Sequence, residues 1–134
     1  MTREDRELLL IDICGRLPHE TWVQYEGKEW LATGYGHGRV SLLPSIFSSV
    51  GGPCPLVEDV RPYLRPMSSM TEEERNNLRA YCRTQEGIIY DIGVSGAINS
   101  PAIIDFLNAH HFDYRGLIEK GLALEAPEGM YKTE

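Results

Sequence analysis

Residues 21–43 read TWVQYEGKEWLATGYGHGRVSLL, and this stretch decides the fold. Thr21 to Glu26 (TWVQYE) and Glu29 to Thr33 (EWLAT) are rich in β-branched and aromatic side chains. They flank Gly27-Lys28, a short turn signal. Arg39 to Leu43 (RVSLL) follows a second turn, Gly34-Tyr35-Gly36-His37-Gly38. The pattern predicts a three-stranded antiparallel meander.

On its N-terminal side, Thr2 to Arg16 reads as a helix. Thr2 is the N-cap with Asp5 three residues on, and Glu4 and Asp5 suit the positive end of the helix dipole. Leu9, Leu10, Ile13, Cys14 and Leu17 fall at helical spacing, and Gly15 and Pro18 close the element. On the other side, residues 44–55 (PSIFSSVGGPCP) are a long Gly-, Pro- and Ser-rich loop, of the kind that is often functional or mobile. Leu56 to Leu64 suggests a fourth strand, which Pro62 confines to an edge or a strand end. A capping box, Thr71-Glu-Glu-Glu74, opens a helix to Thr84 whose buried stripe is Leu78, Tyr81 and Cys82. Ile88 to Ile92 is a short β-like run. Ser100-Pro101 starts a third helix with the face Ile103, Phe106, Leu107 and His110. Arg115 to Lys120 suggests a final short helix ended by Gly121, and Leu122 to Ala126 a last strand. No internal repeat is visible. The expectation is an α+β fold in a single domain, residues 1–134, with a small antiparallel sheet of three to five strands packed against three or four helices.

The composition agrees with a globular chain: 42% hydrophobic and 25% charged, enough to bury a core without metal or disulfide staples. No run of 18 apolar residues exists, so no membrane span is expected. The N-terminal stretch MTREDRELLLIDIC carries acids where a secretory leader needs positive charge, which points to a cytoplasmic protein. A formal charge of −7 argues against direct nucleic-acid binding, although it permits an acidic mimic of nucleic acid. Cys14, Cys54 and Cys82 are widely spaced, with no CxxC, and read as free thiols; Cys14 and Cys82 are expected as small core hydrophobes.

Five arginines lie in the 23 residues from Arg61 to Arg83. Arg75, Arg79 and Arg83 recur at i, i+4 and i+8 on one helix face, with Arg61 and Arg65 upstream. Such a platform of rigid guanidinium forks suits a phosphate, a nucleotide or an acidic partner; the plainer reading is a solvated face paired with acids. Tyr35 and His37 in the glycine-rich turn are the next ligand-binding candidates. That turn lacks a following helix, so it reads as a hairpin needing positive φ and not as a phosphate loop. His110-His111-Phe112-Asp113 is the densest titratable cluster. A metal there would need Asp113 and a distant partner such as His19 or His37. The plainer reading places His110 against the core and His111 at the helix C-terminus. Ser68, Ser69 and Ser95 lack an activated-nucleophile context, and the pairs Glu58-Asp59 and Glu72-Glu73-Glu74 read as a strand alternation and a helix first turn. No catalytic residue, metal ligand or cofactor is assigned.

Two stretches, PYLRPMSSMTEEE at 62–74 and LNAHHFDYRGLIEKGLALEAP at 107–127, resemble segments of short uncharacterised proteins of phages, prophages and mobile elements of gut anaerobic bacteria. They cover about a quarter of the chain. The resemblance implies a cytoplasmic protein of a bacterial cell or phage-infected host, and carries no activity with it. The leading expectation is therefore a non-enzymatic binding or regulatory protein, an accessory factor that sequesters a small anionic ligand or blocks a host protein, with homo-oligomers left open. The rivals are a small metal-dependent hydrolase built on His110, His111 and Asp113, and the acidic nucleic-acid mimic.

Overall fold

The computed structural model describes residues 1–45, 51–78 and 101–131. Helix α1 (Arg3–Arg16) begins as its sequence dictates: the Thr2 hydroxyl accepts the Asp5 amide at 3.0 Å. Its inner face is Leu9, Asp12, Ile13 and Arg16. Cys14 is exposed and not in the core, because the helix turns its core face toward Ile13 and Arg16. The helix passes through Gly15, and a 3₁₀ turn, Leu17–His19, follows with Pro18 in it. Glu20, at φ 53°, ends that turn in the left-handed region.

The meander is present: β1 (Trp22–Tyr25), β2 (Lys28–Gly36) and β3 (Arg39–Leu43) pair antiparallel in sequence order. The first turn lies one residue earlier than the sequence suggested, and the second is shorter. Tyr25 pairs with Lys28, so the first turn is Glu26-Gly27, not Gly27-Lys28, with φ of 52° and 75°. Gly36 pairs with Arg39, so the second is His37-Gly38, with φ of 54° and 78°. Two successive positive φ values give the turn the twist that the flanking strands require. Gly34 to Gly36 are therefore strand, with an irregularity between Ala32 and Gly34.

β4 (Arg61–Leu64) follows a 3₁₀ turn, Val57–Asp59, which occupies the first part of the predicted strand. The sheet order is β3-β2-β1-β4-β5, with β5 reduced to Leu124–Glu125. The sheet is mixed and not wholly antiparallel, because β5 pairs parallel to β4. The connection from β4 to β5 carries helical segments, as a parallel crossover needs. Pro62 thus lies in an inner strand. The Leu64 carbonyl bonds the Ala126 amide at 2.8 Å on the β5 side, and two residues earlier Pro62 presents its nitrogen to that same side. The β5 ladder begins only opposite Tyr63, so the missing donor costs no ladder bond. At the opposite edge, part of the predicted loop covers β3: Val40 donates to Pro55 at 2.9 Å and Leu42 to Pro53 at 3.1 Å. Gly52 crosses so close that a Cβ there would collide with the Leu42 carbonyl.

α1 packs on this sheet through Leu9 and Ile13 against Val23, Ala32, Val40, Leu42 and Leu64. The helix Pro101–Ala109 touches α1, but the apolar residues described on the α-helices other than α1 pack elsewhere. α2, described over 72–78, and α3 (Pro101–Ala109) meet in a second apolar cluster of Met70, Leu78, Ile103, Phe106, Leu107 and Phe112. Residues 115–120 form turns, not a helix, although Leu117 is fully buried in the first core. Asp113 holds those turns: its two carboxylate oxygens accept the Leu117 amide at 2.8 Å and the Ile118 amide at 3.0 Å. Tyr81, Cys82, the run Ile88 to Ile92 and Ser100 lie outside the described residues.

Candidate functional site

A cleft of about 450 Å³ is walled by Arg65, Glu74, His110, His111 and Tyr131, with His19 and Trp22 also lining it. Three local features build it.

The first is the capping box. The Glu74 amide donates to Thr71 Oγ1 at 3.1 Å, and Glu74 Oε1 accepts the Thr71 amide at 3.0 Å. The same carboxylate takes both forks of Arg65, Nη1 to Oε2 at 2.7 Å and Nη2 to Oε1 at 2.8 Å. His110 Nδ1 lies 3.2 Å from Oε2. Burial would raise the Glu74 pKa, but the Arg65 hydrogen bonds and the Thr71 amide outweigh it and lower the group to about 2. Glu74 therefore stays ionised, and Arg65 is held over the Phe112 ring at 4.2 Å.

The second is the C-terminus of α3. His111 donates to the Asn108 carbonyl at 3.1 Å and Phe112 to the Leu107 carbonyl at 2.9 Å, the double bond of a Schellman cap. That cap places His111 at the position that favours glycine, and its φ is 63°. The cap turns the chain so that the Arg65 amide bonds the His111 carbonyl at 2.7 Å and the Asp113 amide bonds the Arg65 carbonyl at 2.8 Å. The sequence reading of the histidines is thereby partly inverted. His111 is buried, and desolvation first, then the Arg16 charge, lowers its pKa to about 3, so it is a neutral imidazole. His110 stacks on Phe106 with centroids 4.3 Å apart, yet keeps 37% of its side chain exposed.

The third is Tyr131, which sequence reading missed. Its hydroxyl accepts the Trp22 amide at 2.9 Å and donates to the Tyr63 carbonyl at 2.8 Å, bridging β1 and β4 where their ladder ends. Its ring stacks on His111 with centroids 3.6 Å apart and planes at 12°. Burial holds the phenol well above its usual pKa, so it remains both donor and acceptor.

Among the described residues, Arg65 is the one arginine candidate at the cleft. Arg65 lines the cleft with its charge committed to Glu74. Arg61 bonds the Glu58 and Val60 carbonyls at 2.9 and 3.0 Å. Arg75 is half-buried on α2, and Arg79 and Arg83 lie outside the described residues. Tyr35 and His37 line a separate groove with Arg6, Leu10 and Glu58. Among the described residues no group of three or more His, Cys, Asp or Glu side chains could hold a metal ion. Asp113 has both oxygens on backbone amides and His111 lies beneath Tyr131. Of the titratable cluster, only His110 keeps an imidazole open to the cleft. Ser95 lies outside the described residues, and no helix among those described is long and apolar enough to cross a membrane.

Comparison of the chain with family models, with curated proteins and with solved structures found no match.

Proposed function

We propose that the chain is a non-enzymatic binding protein whose ligand site is the cleft between Glu74, His110 and Tyr131. One observation carries this reading. The stretches 62–74 and 107–127 are bonded to one another there, and their strained and charge-paired residues wall a concavity of ligand size. Glu74 orients the His110 imidazole, and among the described residues no Ser or Cys lines the cleft beside it, which favours recognition over hydrolysis.

The charge of the wall bears on the ligand. Arg65 is neutralised by Glu74, and Glu20 and Glu73 remain at the cleft, beside the apolar surfaces of Trp22 and Met130. This wall suits a small amphipathic ligand bearing a positive group.

A thermal-shift screen tests this with two panels, aliphatic and aromatic amines against nucleotides and phosphate compounds, on the parent, His110→Ala and Arg75→Glu. The proposal expects a compound that raises the parent's melting temperature and loses at least tenfold affinity with His110→Ala. A hit weakened by Arg75→Glu alone would move the site to the arginine face of α2. If neither panel raises the melting temperature, the small-ligand reading fails and a protein partner takes its place.

A further inference from the structure

We propose that the slot filled by Tyr131 is a binding site for a phenol, and that residues 127–131 are a strap occupying it from within the chain. The slot offers three complementary features at fixed positions: the Trp22 amide as donor, the Tyr63 carbonyl as acceptor, and the His111 ring as a stacking plane. Each is held by structure other than Tyr131. Trp22 and Tyr63 belong to β1 and β4, and His111 is fixed by the α3 cap. Together they specify an aromatic ring bearing one hydroxyl that both donates and accepts.

The strap is anchored more weakly than the slot. Its last sheet bond is Ala126 to Leu64, just before it begins. Within it, Met130 donates to Pro127 at 3.1 Å, and Gly129 at φ 84° gives the turn its freedom. Pro127, Glu128 and Gly129 are exposed. Tyr131 is thus the tether that ties the strap to the sheet. It also stands, with Arg65, between the main cleft and a second one of about 250 Å³ lined by Ser69, Pro127 and Gly129. Lifting the strap would join the two clefts while vacating the slot. The inference is independent of which charge the main cleft prefers.

The test is chemical rescue, with 4-methylphenol as probe and 4-methylanisole and toluene as controls, read by the Trp22 amide in protein NMR. Tyr131→Ala should bind 4-methylphenol saturably, with the Trp22 signal returning toward its parent position. The two controls, which lack the hydroxyl donor, should bind at least tenfold more weakly. The parent should bind the phenol more weakly than the variant, because its own Tyr131 competes and only the open fraction is receptive. Equal binding of toluene, no shift in the variant, or no binding to the parent at saturation would each overturn the proposal. Should Tyr131→Ala not fold, Tyr131→Phe keeps the ring and loses the hydroxyl. Its Trp22 amide should then exchange with solvent at least tenfold faster than in the parent and regain protection with 4-methylphenol; unchanged exchange sinks the idea.

Discussion

Asp12 and Arg16 stand one helical turn apart on the inner face of α1, both without solvent exposure, joined by hydrogen bonds of 2.8 and 2.9 Å. Arg115 adds a contact of 2.8 Å to the same carboxylate, and Arg16 Nη2 reaches the Phe112 carbonyl at 2.6 Å. Arg16 thereby ties α1 to the chain just past the α3 cap, where the cleft is built. Its Nη1 is buried with no hydrogen-bond partner among the described residues.

Because a buried ion pair is stabilising only while both partners remain, Asp12→Ala should cost about 3–5 kcal/mol, by leaving a buried guanidinium uncompensated. The double variant Asp12→Leu with Arg16→Met should be more stable than the single one. Urea melts of the parent, the single and the double variant check this. A double variant as unstable as Asp12→Ala would show that the pair does more than cancel its own desolvation.

The second apolar cluster gives a plainer expectation. Leu78 is 0% and Phe106 8% exposed, so Leu78→Ala and Phe106→Ala should each cost about 2–5 kcal/mol in lost transfer energy and cavity formation. A thermal melt within a degree or two of the parent would show that the cluster collapses around the gap.

Cys14 and Cys54 are both free and exposed. Both should react with a thiol reagent in the native protein, and adding reductant should leave the melting temperature unchanged. A drop of several degrees would reveal a disulfide.

What the sequence disclosed follows from the range of the interactions involved. The meander and both capped helix starts rest on neighbours within four residues, as with Thr2 and Asp5 or Thr71 and Glu74, and they were legible. The first turn slipped by a residue and the second shrank to His37-Gly38 because Glu26 and His37 adopt positive φ, a role glycine normally signals. Cys14 was misplaced because the buried face of α1 is set by Asp12 and Arg16, polar residues that apolar periodicity leaves out. The cleft was half legible. Arg65 and Glu74 were each singled out, as a ligand contact and a helix cap, but their pairing depends on how β4 meets α2. Tyr131 carried no local signal, since its partners lie 68 and 109 residues away.

Glu74 and His111 should shape the acid side of the stability profile in separable windows. His111 is neutral in the fold, its pKa lowered from 6.5 to about 3 chiefly by burial, whereas the unfolded chain takes up the proton below 6.5. Its contribution is fully present above pH 6.5 and is lost as the pH falls toward 3. Glu74 is lowered from 4.5 to about 2, so its contribution is present above pH 4.5 and is lost between there and 2. From pH 6.5 down to 4.5, His111 should therefore account for up to about 2–3 kcal/mol, at 1.36 kcal/mol per pH unit. His111→Gln, which removes the titration, should flatten that window relative to the parent, while Glu74→Gln should leave it unchanged and flatten the one below 4.5. Urea unfolding of the three proteins at half-unit steps from pH 7 to 3 gives the measurement. If His111→Gln keeps the parent's slope between pH 6.5 and 4.5, the imidazole is protonated in the fold, and its stacking on Tyr131 must tolerate a charge.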